Sequence, residues 1–348
     1  MAGTAQPAVA GGLDADTGPS QRWGPARHAD ALTMDCLCLG GVCADLVCQP
    51  IPALPAQGQL VETNGIELSL GGCAANTAFN LARLDVSTGI AACIGKDLFG
   101  TFIRQTLEDR GVDTAGLVHA TDASSATAAV INVRGEDRRF IAHAGANRLL
   151  SPALIPEDLI ETVAVLYIGG FLMLNGLESP DMLERLALAR SAGTRIVLDV
   201  VKVADANAMA RLSAILPHVD GFLPNNEEAA ELTGCRHPWE QADAFRAAGA
   251  HTVVITSGQY GDHLVSDTTR LRIGAYSTDV VGSTGAGDAF DAGFIAALLD
   301  DQDLPTCLRW GSALGASCVR SSSATASVFN REEALQFMAC HPLPVEVF

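Results

Sequence analysis

Short apolar runs recur along most of this chain, and from Val163 onward they alternate with amphipathic stretches. Val163–Ile168, Arg195–Asp199, Gly221–Leu223 and Thr252–Thr256 read as buried strands. Pro180–Ala192, Ala206–Leu216, Glu227–Thr233 and Pro238–Ala248 read as helices. Strand–helix alternation of this kind predicts parallel strands joined by crossover helices, an α/β fold. Cys36–Val42 and Ile90–Ile94 add two buried strands nearer the N-terminus. Two segments break the alternation. Gln59–Thr63 and Ile66–Leu70 flank Asn64-Gly65, while Ala126–Val133 and Arg139–His143 flank Gly135-Glu136-Asp137. Each reads as a hairpin, and together they are expected to form a separate small sheet.

Helix starts carry the second layer of information. Gly282-Ser283-Thr284-Gly285-Ala286-Gly287-Asp288 is too glycine-rich for a helix interior. Phe290, Phe294 and Leu298 then recur at helical spacing, with Ala289, Ala292, Ala296 and Ala297 between them. A glycine-rich turn therefore opens a helix with Asp288 in its first turn. Backbone amides at such a turn, with the positive end of the helix dipole, make an anion site. A carboxylate beside it is placed to accept a proton from a hydroxyl that attacks a phosphoryl group, unless it merely caps the turn. Gly71-Gly72-Cys73-Ala74-Ala75-Asn76 opens a second helix, running to about Leu84, with Asn76 either a ligand contact or a capping group. Asp97 reads as the N-cap of a third. Polar groups also follow strands: Asp45 after Gly40-Gly41, Gly169-Gly170, Asp199, Asn225-x-x-Glu228 and Thr256-Ser257-Gly258. Ligands in open α/β sheets sit beyond those strand ends. Helices near Leu304–Ser321 and Arg331–Met338 close the chain.

Charge narrows the partners. A net charge of −18 argues against nucleic acid and anionic membranes. With Lys96 and Lys202 the sole lysines, arginines or backbone amides must do most of any anion binding. No apolar run reaches the length of a membrane span. The ten cysteines lie in apolar segments without C-x-x-C spacing, which suits free thiols in the cytoplasm better than a disulfide framework or a metal site. Residues 1–33 show no apolar periodicity and no signal-peptide core, so a disordered extension is expected, with Met34 an alternative start. A P-loop, a G-x-G-x-x-G fingerprint, a G-x-S-x-G elbow and H-E-x-x-H are all absent.

Taken together, these marks resemble the ribokinase-like (PfkB) carbohydrate kinases over about residues 35–340. Thr284-Gly285-Ala286-Gly287-Asp288-Ala289-Phe290 is similar to the family's D-T-x-G-A-G-D-x-F. Gly71-Gly72-x-x-Ala75-Asn76, Gly40 to Asp45, Gly95-x-Asp97-x-Phe99-Gly100, Asn225-x-x-Glu228 and Thr256-x-Gly258-x-x-Gly261 follow the family's order. The resemblance implies a three-layer α/β/α domain over residues 34–340, with a small β-sheet lid near 46–70 and 126–143, and a C-terminal tail at 341–348. It implies transfer of the γ-phosphoryl group of ATP, with Mg²⁺, to a sugar hydroxyl. By the same match Asp288 is the general base, and Gly285, Ala286 and Gly287 are the anion hole. Asp45, Gly71, Gly72 and Asn76 bind the acceptor, while Asn225, Thr256, Ser257, Gly258 and Gly261 bind ATP. Glu228 supports the metal indirectly. A nucleoside acceptor is the alternative on the same scaffold, disfavoured by the 5% aromatic content; a non-catalytic binding regulator is a third, disfavoured by the intact Asp288 turn. A homodimer through the lid is a further expectation. The chain departs from the family twice: Gly282 replaces a carboxylate that in relatives helps hold a monovalent cation, and Ser322-Ser323 replaces a glycine-containing turn.

Overall fold

The computed structural model describes residues 34–136, 138–156, 159–160, 162–201 and 205–348; the expected disordered extension, residues 1–33, lies outside them. The strands are β1 (Met34–Gly40), β2 (Cys43–Ile51), β3 (Ile66–Gly71), β4 (Thr88–Gly95), β5 (Asp113–Ala120), β6 (Thr127–Val133), β7 (Arg139–His143), β8 (Val163–Gly169), β9 (Arg195–Leu198), β10 (Gly221–Phe222), β11 (Thr252–Thr256), β12 (Asp262–Val265), β13 (Arg270–Ile273) and β14 (Val345–Val347). The principal helices are α1 (Cys73–Arg83), α2 (Leu98–Asp109), α3 (Pro180–Ser191), α4 (Ala208–Ile215), α5 (Asn226–Thr233), α6 (Pro238–Ala247), α7 (Ala286–Leu299), α8 (Leu304–Cys318) and α9 (Arg331–Cys340).

The layers follow from β1. Its side chains alternate between two faces, and both are buried. Cys36 and Cys38 enter one core with residues of α1, α2, α7 and α8, while Leu37 and Leu39 enter the other with residues of α3, α4 and α6. A sheet buried on both faces needs a helical layer on each side. The large sheet runs β14-β13-β12-β11-β10-β9-β8-β1-β4-β5. From β11 to β5 neighbouring strands are parallel, and β12 to β14 extend one edge in antiparallel fashion. The protein thus has a three-layer α/β/α architecture with a second, smaller sheet of order β3-β2-β6-β7.

Two expectations are corrected, and three strands had no expectation to test. Gln59–Thr63 forms no strand; β3 pairs with β2 instead, with Leu46 opposite Leu68 and Cys48 opposite Ile66. Thr63 Oγ1 donates to the Gln49 carbonyl and Gln49 N to that of Gly65, so the Asn64-Gly65 bend folds onto β2 rather than closing a local hairpin. The longer β2 buries Ala44 and Val47, whereas Leu60 in the rejected segment is exposed, so burial favours β2 as partner. Where the sequence gives a tail at 341–348, β14 lies antiparallel to β13, with Val347 opposite Leu271; its alternation is too short to stand out. The segments forming β5, β12 and β13 also pass unread. Gly116 and His119 interrupt the apolar pattern of β5, and β12 and β13 are four residues each.

Candidate active site

The site lies where the two sheets meet, beyond the carboxyl ends of the parallel strands. β1 ends at Gly40, and the chain passes through Gly41 and Val42 into β2 of the small sheet. Asn147 fixes this crossing: its Oδ1 accepts from Val42 N at 3.2 Å and its Nδ2 donates to Val42 O at 2.9 Å. Asp45 follows on β2, opposite Ser69 of β3 and Ala128 of β6. Its carboxylate lies against Gly71, where a Cβ would come within 2.2 Å of Asp45 Oδ2. Only glycine permits that approach, so Gly71-Gly72 brings Asp45 and the start of α1 into one corner. Burial raises the Asp45 pKa, and a hydrogen bond from Cys43 opposes the rise.

Asp288 enters the same corner from α7. Gly285, at φ +78°, makes the turn, and a Cβ there would lie 2.4 Å from Ala324 Cβ. The first helical bond, Ala289 N to Gly285 O, is 2.8 Å, so the amides of Gly287 and Asp288 have no helix carbonyl behind them. Ala286 N, also expected to bind an anion, donates to Ser283 O at 3.3 Å in the turn. Gly287 is exposed, and a Cβ there would meet nothing within 4 Å: the helix end opens on the cleft. Asp288 is only 8% exposed and Asn76 3%. Asn76 Nδ2 donates to Asp288 Oδ2 at 2.8 Å, while Asn76 Oδ1 is buried without a protein partner. Burial pushes the Asp288 pKa up to about 6; hydrogen bonds from Asn76 and Cys73 pull it down, and the Asp45 charge adds to the rise.

The structure also gathers residues to which the sequence reading assigned no role in the site. Cys73 Sγ and carboxylate oxygens of Asp199 and Asp288 lie within 4.8 Å of one another. Asp199, just past β9, is held well above the usual carboxylate range by burial and by the charges of Asp291, Glu228 and Asp288. Asp291, one turn beyond Asp288 and 1% exposed, accepts from Tyr167 of β8 at 2.9 Å. Burial and the Asp288 charge raise its pKa too. A carboxylate three residues after Asp288 was a visible signal for Asp291; its Tyr167 partner, 124 residues away, had none.

The candidate nucleotide residues form a neighbouring group. Asn225 and Thr256 meet in a parallel bridge. Asn225 caps α5, accepting from the amides of Glu227 and Glu228 at 2.9 Å, and Glu228 Oε2 accepts from Asn225 N at 3.0 Å. The Asn-x-x-Glu pair is therefore a capping box, and Asn225 itself is exposed. Glu228 is buried, and its charge reaches Asp199, Cys73 and Asp291. Ser257 N donates to Gly261 O at 3.1 Å, closing the loop that follows β11. Ser323, in the substituted late turn, meets Ser69 of the small sheet, Oγ to Oγ, at 3.2 Å.

Comparison with known proteins bears on the family and the fold. The profile of the "pfkB family carbohydrate kinase" matches residues 34–331. The chain is 27% identical over 307 residues to a ribokinase from Haemophilus influenzae, covering 86% of this chain and 97% of the relative. It is 28% identical over 267 residues to a nucleoside kinase from Methanothermobacter thermautotrophicus, covering 76% and 83%. Among solved structures, Arabidopsis thaliana ribokinase complexed with ribose and ATP superposes with a TM-score of 0.76 at 22% identity, over 88% of this chain and 99% of that one. Ribokinase from Giardia lamblia gives 0.77 at 21%, over 88% and 99%.

Proposed function

The chain belongs to the pfkB family of carbohydrate kinases, and from that premise we propose that it transfers the γ-phosphoryl group of ATP to a hydroxyl of a small sugar. The observation that carries the reading is Asp288: a buried carboxylate whose pKa of about 6 leaves it ionised at neutral pH, beside the open amides of α7. The acceptor hydroxyl gives its proton to Asp288 as its oxygen bonds to the γ-phosphorus. The bond to the β-phosphate oxygen breaks, and ADP leaves. The amides of Gly285 and Gly287 face the charge that builds on the phosphoryl oxygens, with Gly287 the most open, and Ala286 N joins them by giving up its 3.3 Å bond to Ser283 O. Asp45, Gly71, Gly72 and Asn76 hold the acceptor, and the unpartnered Asn76 Oδ1 is free to take one of its hydroxyls. Asn225, Thr256, Ser257, Gly258 and Gly261 hold the nucleotide.

Mg²⁺ fits the donors present. Asp199 and Glu228 are buried carboxylates, hard oxygen ligands of the kind that Mg²⁺ takes. They would hold the ion directly or through water, and it would neutralise phosphate charge as the nucleotide enters. The small sheet acts as a lid, and its outer face pairs two copies of the chain. Ten free cysteines suit a cytoplasmic enzyme; among the described residues no helix is long and apolar enough to cross a membrane.

A nucleoside acceptor is the second reading. Phe140 lies two residues from Ala142, which pairs with Ala128 on the Asp45 face of the small sheet; it is half exposed there, where a base would stack. ADP formation from ATP and Mg²⁺ across a panel of pentoses, hexoses, sugar acids and nucleosides separates the two. On the best acceptor, Asp288→Asn lowers kcat by about 10²–10⁴-fold and leaves ATP binding intact. Turnover near that of the unmodified chain would remove Asp288 as base.

A further inference from the structure

A cation reaches the α7 turn from the lid. Arg138 lies in the β6–β7 connection, and its Nη1 donates to Ser283 Oγ across 145 residues of sequence. Ser283 stands two residues before Gly285. Arg138 and Phe140 lie two apart, and the guanidinium carbon is 5.4 Å from the Phe140 ring centroid, within cation–π range. The ring thus backs the guanidinium on the cleft side of the lid. Beneath the same turn, Cys318 Sγ donates to Thr284 O at 3.4 Å, and the Arg138 charge opposes the rise that burial imposes on that thiol. The other ionisable groups named around the cleft are acidic: Asp45, Asp199, Glu228 and Asp288 are all buried there.

We propose that Arg138 is a further catalytic residue, a lid-borne guanidinium that shifts from Ser283 onto the oxygens of the transferred phosphoryl group. The inference rests on the Asp288 reading of the site. Charge spreads over those oxygens in the transition state, and a planar fork of donors matches them better than a point charge does. The arginine stays protonated throughout; the acceptor proton goes to Asp288 and the leaving electrons to ADP. Because Arg138 rides on the small sheet, the contact exists only with the lid closed, which ties closure over the acceptor to stabilisation of the phosphoryl group.

The test uses the full chain with Arg138→Met and Arg138→Lys. Two quantities are read: steady-state rates on the best acceptor of the panel, and calorimetric binding of MgADP with and without aluminium fluoride, a mimic of the phosphoryl in flight that needs no knowledge of the natural acceptor. Arg138→Met is expected to lower kcat by about 10²–10³-fold, the cost of losing one transition-state donor, and to abolish most of the affinity that fluoride adds. The KM values and MgADP affinity should stay within about threefold, as for an interaction made only in the transition state. Arg138→Lys should fall between. Should the Met variant melt early, the Lys variant carries the same reading. Unchanged kcat with unchanged fluoride-dependent binding would overturn the proposal. So would a raised acceptor KM at full kcat, which would put Arg138 on an acidic acceptor instead. Full turnover by Asp288→Asn would sink the underlying reading separately, whatever the Arg138 variants do.

Discussion

Asp288 and Asp291 sit one turn apart on α7, both buried, and their surroundings separate them. Deep in the core, burial, and after it the Asp288 charge, holds the Asp291 pKa well above the usual carboxylate range, although the hydrogen bond from the Tyr167 hydroxyl pulls the other way. Asp288 accepts from the Asn76 amide and the Cys73 thiol at the cleft, and both bonds favour the ionised form. Environment thus suits one carboxyl to structure and the other to proton transfer. The sign for activity follows directly. A base must be ionised, so a pKa of about 6 makes kcat/KM level above pH 7 and falling with unit slope below pH 6. Removing the thiol donor by Cys73→Ala takes away one bond that holds the pKa down, so the acid limb should move to higher pH. The pH–rate profile of both proteins checks this; a flat profile from pH 5 to 7 would mean that another group accepts the proton.

At the scale of elements, the turn before α7 raises the question of monovalent cations. Val281 N and Gly282 N both donate to Val319 O, at 2.7 and 3.2 Å, pinning the turn to the end of α8. Gly282 offers no carboxylate, and Asp279, three residues earlier, is exposed. Without a formal negative charge at that position, initial rates should show little dependence on K⁺ when it replaces a bulky organic cation at constant ionic strength. Strong, saturable activation would point to backbone carbonyls as ligands. Restoring an aspartate is not free of cost: a Cβ at Gly282 would lie 3.1 Å from Ser321 O and 3.2 Å from Ser322 Cα, so the neighbouring turn must give way. Much at this scale was legible in the sequence. The glycine turn and helical spacing place α7, the Asp97 cap appears as its Oδ1 accepting from Gly100 N at 2.8 Å, and the alternating strands and helices place β8 to β11. What escaped is long-range: Arg138 with Ser283, Tyr167 with Asp291, and Asn147 with Val42 join segments that share no periodicity or motif. The choice of β2 over Gln59–Thr63 as partner for β3 likewise depends on burial against β6, which no local pattern carries.

Considered as a whole molecule, the two sheets divide the work. The large sheet carries Asp288 and the loops proposed to hold the nucleotide, and the small sheet carries Asp45 and, in its β6–β7 connection, Arg138. The small sheet's far face has no core to cover. Leu68 pairs with Leu46, Leu46 with Ala129 and Ala129 with Ile141, so these four make a row across all four strands on the side away from Asp45. Leu46, Leu68 and Ile141 are exposed at 38%, 41% and 68%, and Ile66 stands beside them at 65%. An apolar row on a sheet with two open edges invites association. The proposed dimer through the lid would cover it, and would stiffen the sheet that delivers Arg138. Light scattering of the full chain should therefore give twice the chain mass. Ile141→Glu, which sets a charge at the β7 end of this row while leaving the cleft face untouched, should give the single-chain mass and a lower kcat, because a loosened lid presents Arg138 less often. A monomeric mass for the unmodified chain across the micromolar range would refute the pairing, and an Ile141→Glu monomer with full kcat would show that the lid holds its catalytic geometry unaided.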